Sequence, residues 1–389
     1  MKIGIIEVCE RNHYTAALAL AKTYAIDAKN EVVIFTLDSF LHLFWEQNPG
    51  ISIITKKQTQ SMSAFLHEIA SLNFDRIHIN TLSDFYKEFA TTAWPENIYF
   101  TVHNTELFYG NLLINRMRLL SAGLRESIFR KGLKNKLQPL ILFIKDFKRQ
   151  AYRYHFIEQI SKKPYKIIVY SKSQQRHLFK YVPPENTLAF PFCLHDNMQD
   201  LSVPGEKIRL CIPGSVSNKR RDYSGLFKMM AEHIDLFKNG IEIDLLGYIP
   251  ADDRYLVSRI EALKAAGAVV YYNLDFISTE EFDLRLSKSD VVLGNLRVNL
   301  NPGQKYSETK ETGVIFNVIK AGKPGIFPSE YQVDEELKNI CLFYTSNNDL
   351  FCIIEHLAGN RGVLSALKAL AKEKVKQYEP EALYHTLVN

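Results

Sequence analysis

The sequence predicts an α/β protein of two Rossmann-like domains, each a doubly wound parallel sheet. Three observations predict it. Strand-like and helix-like runs alternate from end to end. The strands are continuous Val, Ile, Leu, Phe and Tyr runs, the pattern expected when helices cover both faces of a parallel sheet. A proline-rich break divides the chain into halves of similar size.

The first half opens with KIGIIEV, an apolar-periodic HYTAALALAKTYA and EVVIFTL. RIHIN, NIYFTVHN, KIIVYS and TLAFPFC follow. Strand, crossover and strand repeated this often specify the doubly wound class. Four prolines and polar turn residues fill Tyr181 to Lys207, which places a linker at 194–206 between a first domain of residues 1–193 and a second of 207–375. The second domain repeats the plan with KIRLCIP, IEIDLLGY, VVYYNL, DVVLGNL, GIFP and CLFYT. Residues 376–389 form a tail expected to pack back on the first domain.

At 389 residues, 46% hydrophobic and 23% charged, the composition is that of a soluble globular protein. No run of about 18 uncharged apolar residues is present, which argues against a spanning helix. MKIGIIEVCE reads as a first strand and not as a signal peptide. The five cysteines are scattered without a C-x-x-C pair, so a zinc site or disulfide framework is not expected, and a reducing cytoplasm fits.

The net charge of +5 is concentrated. Between Asn111 and Tyr154 eleven Lys and Arg oppose only Glu126 and Asp146, a local +9 against −4 for the rest. Basic residues alternate there with Leu, Ile and Phe at near-helical spacing. Two readings stand: a helix lying on an anionic membrane surface through 114–154, or an interdomain helix pair with a solvated face. No nucleic-acid-binding motif accompanies the charge.

Open parallel sheets bind ligands beyond the carboxyl ends of their strands, so those positions carry the search for chemistry. After KIRLCIP comes Gly214-Ser-Val-Ser-Asn-Lys-Arg220-Arg221-Asp222. Glycine admits close approach of backbone amides to an anion, and arginine offers bidentate contacts to phosphate. The alternative is a solvated basic loop capped by Asp222. In KETGVIFNVIKAGKPGIFP, Thr312 and Gly313 precede an apolar helix whose first N–H groups suit a phosphate, and Gly322 and Pro324 end that helix before the next strand. The alternative is a threonine-capped structural helix.

The two stretches together resemble the second domain of nucleotide-sugar glycosyltransferases of GT-B fold, whose two domains face a cleft. That family opens its second domain with a glycine loop about one hundred residues before an acidic-Gly-helix-Ala-Gly-Lys-Pro segment. Here these are Gly214 and Glu311-Thr312-Gly313 through Ala321-Gly322-Lys323-Pro324. The resemblance covers most of 207–375 and implies a UDP- or GDP-sugar donor and a glycan or lipid-linked acceptor. It implies that Gly214, Arg220, Arg221, Thr312 and Gly313 hold the diphosphate, with Glu311 beside them in the donor site. It places Asn273 and Phe276 beside the base, and Asn317 where a ribose-binding glutamate usually stands. Thr309 occupies the position of the family's other glutamate.

In the first domain, His13 stands at a helix start just beyond the first strand, where a histidine can act as general base, as in many inverting members, or simply pack. His103 closes NIYFTVHN, and Glu106 follows as an acidic partner. Lys172 and Arg176 can reach an anionic acceptor or remain helix-surface charge. No Asp-x-Asp motif stands at a strand end, so neither metal nor cofactor is expected. Two further functions share the resemblance: a UDP-sugar 2-epimerase, and a catalytically silent scaffold of a glycan-assembly complex.

Overall fold

The computed structural model describes residues 1–44, 50–110, 133–195, 198–203, 205, 207–301 and 303–388, the side chains of 133–146 and 301 excepted. Seven parallel strands form the first sheet: β1 (Lys2–Glu7), β2 (Glu31–Leu37), β3 (Ile51–Lys56), β4 (Arg76–Ile79), β5 (Ile98–Thr101), β6 (Tyr165–Val169) and β7 (Thr187–Ala189). Their order is β3-β2-β1-β4-β5-β6-β7. The second sheet uses β8 (Ile208–Ile212), β9 (Ile241–Tyr248), β10 (Val269–Asn273) and β11 (Val291–Leu293). A short antiparallel pair, β12 (Asn299–Asn301) and β13 (Gln304–Lys305), precedes its last strands, β14 (Gly325–Pro328) and β15 (Cys341–Tyr344). Their order, β10-β9-β8-β11-β14-β15, repeats the plan of the first sheet.

Each sheet therefore has one topological switch point, where consecutive crossovers leave in opposite directions and a crevice opens at the strand ends. It lies between β1 and β4 in the first domain and between β8 and β11 in the second. The central strands are buried on both faces, which explains their unbroken apolar sequence: Ile3, Ile5, Ile6, Ile208, Leu210 and Ile212 are all essentially inaccessible.

Sequence reasoning passed over β3 and the β12–β13 pair. β3 is an edge strand that alternates half-buried and exposed residues, so its ISIITK lacks the continuous apolar run of its neighbours. The small pair is too short and polar to carry a periodic signal.

Helix Gly313–Ala321 joins the two domains. It buries Val314, Ile315, Phe316, Val318 and Ile319, each worth about 1.5–3 kcal/mol when removed from water. Phe316 packs against Tyr170 and Phe192 of the first half, with ring centroids 5.9 and 4.0 Å away. This helix carries apolar residues on most of its circumference because it is covered from both sides, and only Gly313, Asn317 and Lys320 break the pattern. The seam continues in polar contacts. Asp334 caps the helix Lys172–Leu178 by accepting from the backbone N–H groups of Lys172 and Ser173 at 2.9 and 3.2 Å. The Thr105 N–H donates to the Thr309 carbonyl at 2.8 Å.

Lys323, of the Ala-Gly-Lys-Pro segment, is wholly buried and ion-paired with Asp200, which Lys372 also approaches at 3.0 Å. Against burial, hydrogen bonds from Lys323, Ser202 and Lys372 hold the Asp200 carboxyl well below the usual range. The helix Pro380–Val388 crosses to the first domain. Leu383 and Leu387 join Ile3, Ile5, Leu20 and Tyr24 in one apolar cluster, and the Arg76 guanidinium donates to the carbonyls of Leu387 and Val388.

No described helix is long and apolar enough to cross a membrane. None of the five cysteines is in a disulfide. The basic run 111–132 lies outside the described residues; beyond it, the helix Leu133–Ser161 exposes Phe147 and Tyr154.

Candidate functional site

In the second domain the switch-point crevice is an open cavity of about 570 Å³. Its floor is the turn after β8. Gly214 sits there at φ +92°, a backbone conformation that side-chain-bearing residues rarely adopt. The turn lies so close to β9 that a Cβ on Gly247 would stand 2.0 Å from the Gly214 carbonyl oxygen. Two glycines are thus needed for one close approach.

Arg221 is buried beside this turn. Its Nη2 donates to the Pro213 carbonyl, while Nη1 has no partner among the described residues. Lys219 and Arg220 line the same cavity, Lys219 paired with Asp252 at 3.1 Å. The opposite wall is the start of helix Gly313–Ala321. Thr312 caps it weakly, its hydroxyl accepting from the Val314 N–H at 3.4 Å, and nothing stands within 4 Å of where a Gly313 Cβ would be. First-turn N–H groups and a helix dipole therefore face the cavity across from the cations, an arrangement suited to an anion. Asn317 also lines it; its Nδ2 donates to the Gly313 carbonyl at 2.7 Å, which leaves Oδ1 for a ligand hydroxyl.

Three residues expected in this site stand elsewhere. Asn273 has its amide engaged, Nδ2 donating to the Leu245 carbonyl at 3.1 Å and Oδ1 accepting from Arg285 at 2.8 Å, and it is absent from the cavity wall. Phe276 is 80% exposed and reaches the site only through Tyr248, on which it stacks at 4.0 Å. The Glu311 carboxylate points into the domain seam and accepts from the Tyr331 hydroxyl and, at 2.9 Å, from the Thr312 N–H. Burial pushes it up to about 7.

The first-domain crevice is filled by side chains. Glu7, at the end of β1, is fully buried and accepts four hydrogen bonds. The N–H groups of Cys9 and Glu10 reach Oε1 at 3.0 Å each, and Asn80 Nδ2 and Thr81 Oγ1 reach Oε2 at 2.6 Å each. Burial raises its carboxyl, and these donors oppose the rise. Thr81 Oγ1 also lies 3.0 Å from His13 Nδ1 and 3.1 Å from His103 Nε2. The two imidazoles stack at 3.9 Å, nearly parallel.

His103 Nε2 is 2.8 Å from the Asn80 carbonyl and its Nδ1 is 2.7 Å from the Tyr170 hydroxyl. Nε2 must therefore donate and Nδ1 accept, which fixes His103 as the neutral Nε2–H tautomer. Burial, then His13 and Lys310, keeps its pKa well below the ordinary histidine value. Burial, aided by Lys310 and opposed by Glu10, lowers His13 to about 4. Glu106 stands apart from this pair, 3.6 Å from His177. Lys172 is engaged across the seam with Glu336, and Arg176 is exposed on the same helix.

Lys310 links the two crevices. Its backbone bridges Asn104, next to His103, and two residues on stands Thr312 in the cavity wall. Among the described residues its half-buried ammonium has no carboxylate partner, and burial together with the Arg220 charge lowers its pKa. Asp253 lines the cavity too, with Oδ2 buried and unpartnered. No group of three or more His, Cys, Asp or Glu suited to a metal ion occurs among the described residues.

No family model matches the chain, and no curated protein matches it either. Solved structures do. The chain is similar over 100% of its length to 98% of Anabaena Alr3699/HepE, a structure holding UDP, with TM-score 0.62 and 13% identity. It is similar over 100% of its length to 96% of AviGT4, a glycosyltransferase involved in avilamycin A biosynthesis, with TM-score 0.56 and 10% identity. Staphylococcus aureus MnaA, also solved with UDP, matches at TM-score 0.52 and 12% identity over 100% of this chain and 95% of that one. The fold is GT-B.

In this GT-B frame, Gly214, Arg220, Arg221, Thr312, Gly313 and Asn317 share one cavity, while His13 and His103 form one stacked pair across the cleft. Sequence reasoning missed Glu7, Thr81, Tyr170, Lys310 and Asp253. Glu7 left a signal: a lone carboxylate closing an otherwise apolar KIGIIEV, at a strand end, had to be buried and therefore satisfied. Thr81 and Lys310 left none, since their roles arise from residues distant in sequence.

Proposed function

We propose that the protein is a glycosyltransferase that moves a sugar from a UDP- or GDP-sugar to a hydroxyl of a glycan or lipid-linked glycan. One observation carries the reading: an open cavity, with the buried Arg221 Nη1 left without a partner among the described residues and a helix start beside it, faces a neutral, hydrogen-bonded histidine across the GT-B cleft. Arg220, Arg221 and the N–H groups at Thr312–Gly313 hold the donor diphosphate, with Asn317 Oδ1 on the ribose. Their charge and dipoles take up the negative charge that develops on the leaving diphosphate, so metal is not required.

His13 accepts the proton of the acceptor hydroxyl as its oxygen bonds the anomeric carbon and the bond from that carbon to the diphosphate breaks. This single displacement inverts the anomeric centre. The free imidazole is kept neutral by burial and by Lys310. A bound diphosphate beside Lys310 and Arg220 cancels the charge that opposes its protonation, so the base strengthens when the donor is in place. The basic run 114–154, with exposed Phe147 and Tyr154, is proposed to rest on an anionic membrane surface at the cytoplasmic face and bring the enzyme to a lipid-linked acceptor.

A thermal-shift and calorimetric screen with UDP, GDP and their sugars tests the donor reading, because a ligand of the folded state raises its apparent stability. Binding to a uridine or guanosine diphosphate that Arg221→Ala weakens is expected. Absence of binding to any of them favours the scaffold, and an epimerised nucleotide sugar formed without acceptor favours the epimerase. Co-sedimentation with anionic and neutral vesicles tests the membrane reading, with binding to the anionic ones alone expected.

A further inference from the structure

We infer that Glu7 and Thr81 are positioning residues that set the tautomer of His13: the buried carboxylate accepts the hydrogen bond of the threonine hydroxyl, and the threonine oxygen then accepts from His13 Nδ1–H, leaving Nε2 as the free base. The inference deepens the reading of His13 as the base and rests on it for its catalytic consequence, though the tautomer itself does not.

Counting protons leads there. A carboxylate offers acceptor positions only, and Glu7 has all of them occupied by the N–H groups of Cys9, Glu10 and Asn80 and by Thr81 Oγ1. The 2.6 Å separation of Thr81 Oγ1 from Oε2 requires a hydrogen between the two oxygens. With Glu7 as the anion, that hydrogen is the threonine's. Thr81 has only one, so toward both imidazoles it can only accept. His103 Nε2–H lies closer to the Asn80 carbonyl, at 2.8 Å, than to Thr81, at 3.1 Å. His13 Nδ1, at 3.0 Å, must carry a hydrogen or face an oxygen lone pair. Among the described residues Glu7 makes no hydrogen bond to an imidazole; it reaches the His13 ring through the Thr81 hydroxyl, while Asn80 Nδ2, which it also holds, donates to the His13 backbone carbonyl at 3.0 Å.

Replacement of the carboxylate reverses the chain. In Glu7→Gln the amide can donate to Thr81, whose proton then turns to His13 Nδ1 and moves the imidazole hydrogen to Nε2, where a base is needed. Such a reversal of tautomer with geometry kept is costly, as when the aspartate of a serine-protease triad becomes asparagine. Thr81→Ser keeps the hydroxyl, and Thr81→Val removes it.

Nitrogen-15 NMR of the imidazoles in the full-length protein tests the tautomer without reference to activity. A protonated Nδ1 and an unprotonated Nε2 are expected for His13, assigned by its loss in His13→Ala, with the pattern exchanged in Glu7→Gln. A protonated Nε2 in the unsubstituted protein overturns the inference. Kinetics test the consequence. Glu7→Gln and Thr81→Val are expected to lower kcat about 100-fold or more with the donor Kd unchanged, and Thr81→Ser to stay within about threefold of the parent. Equal loss in Thr81→Ser and Thr81→Val, or loss accompanied by weaker donor binding, points to mere packing and overturns it. His13→Ala separates the two claims: retained transfer in that variant sinks the base reading, while the NMR result still decides the tautomer.

Discussion

The two switch-point crevices have the same strand order on either side and opposite contents. In the first domain the crevice is closed by a hydrogen-bonded chain from Glu7 through Thr81 to the stacked His13 and His103. In the second it is left as a cavity of about 570 Å³ with a buried guanidinium nitrogen that has no partner among the described residues. A crevice most of whose polar groups bond one another, as in the first domain with Asn80 Oδ1 left over, is suited to hold a few atoms in fixed orientation. One whose polar groups do not is suited to receive a ligand that completes them. Topology makes the space, and side chains decide whether it is filled by the protein or by something else.

The sharpest way to break this contrast is to fill the open crevice from below. Gly247→Ala forces a methyl against the Gly214 carbonyl, so it is expected to cost about 3 kcal/mol or more and to lower Tm by roughly 6–12 °C. Gly4→Ala, in β1 of the other domain, meets the rings of Phe35 and Phe74 at 3.4 Å, an ordinary contact, and is expected to change stability by about 1 kcal/mol or less. Equal Tm shifts in the two variants would show that the β8–β9 approach is no tighter than the rest of the sheets.

Next in size is Arg221→Met. Loss of a charge-assisted contact to the diphosphate is expected to weaken nucleotide binding by about 10- to 100-fold by calorimetry, with folding stability altered by no more than about 1 kcal/mol.

Acid acts on the crevice histidines and on Glu311 of the seam with opposite signs. His13 falls from 6.5 to about 4 and His103 is also held well below its ordinary value, so the unfolded chain binds more protons at these two groups and stability is lost as the pH falls from 6.5 toward 4. Glu311 rises from 4.5 to about 7, so its contribution is present below 4.5 and lost as the pH rises toward 7. Each amounts to about 1–3 kcal/mol. Denaturant unfolding between pH 4.5 and 7.5 is expected to show a steeper acid loss in Glu311→Gln, which keeps the histidines and removes the opposing carboxyl. An unchanged slope would mean that Glu311 titrates normally.

The smallest effect belongs to Phe276→Ala. The ring is mostly in solvent and touches the site only through Tyr248, so nucleotide affinity is expected to fall by about threefold at most, near the low end of an aromatic pair.

How much of this was legible in the sequence follows from what each feature depends on. The strands inside the sheets announced themselves because a strand covered on both faces must be apolar throughout; three edge strands kept apolar runs as well, whereas the alternating edge strand Ile51–Lys56 did not. Arg221 and Gly313 could be placed because they follow strand ends and a helix start, which are local facts. Glu311 could not: its position in sequence is beside the helix start, but Tyr331 draws its side chain to the other side. Thr81 joins residues 68 and 74 positions away, and no local pattern records such a meeting.

The crossing helix Pro380–Val388 has a consequence for the birth of the molecule. Leu383 and Leu387 complete an apolar cluster whose other members, among them Ile3 and Ile5, are made first. On the ribosome the first domain therefore waits with that face uncovered while nearly two hundred further residues are synthesised, although domains usually fold in order of synthesis. The N-terminal half depends on the C-terminal one for its last layer, so a nascent chain stalled in the second domain is a natural client for a chaperone that shields exposed aliphatic surface.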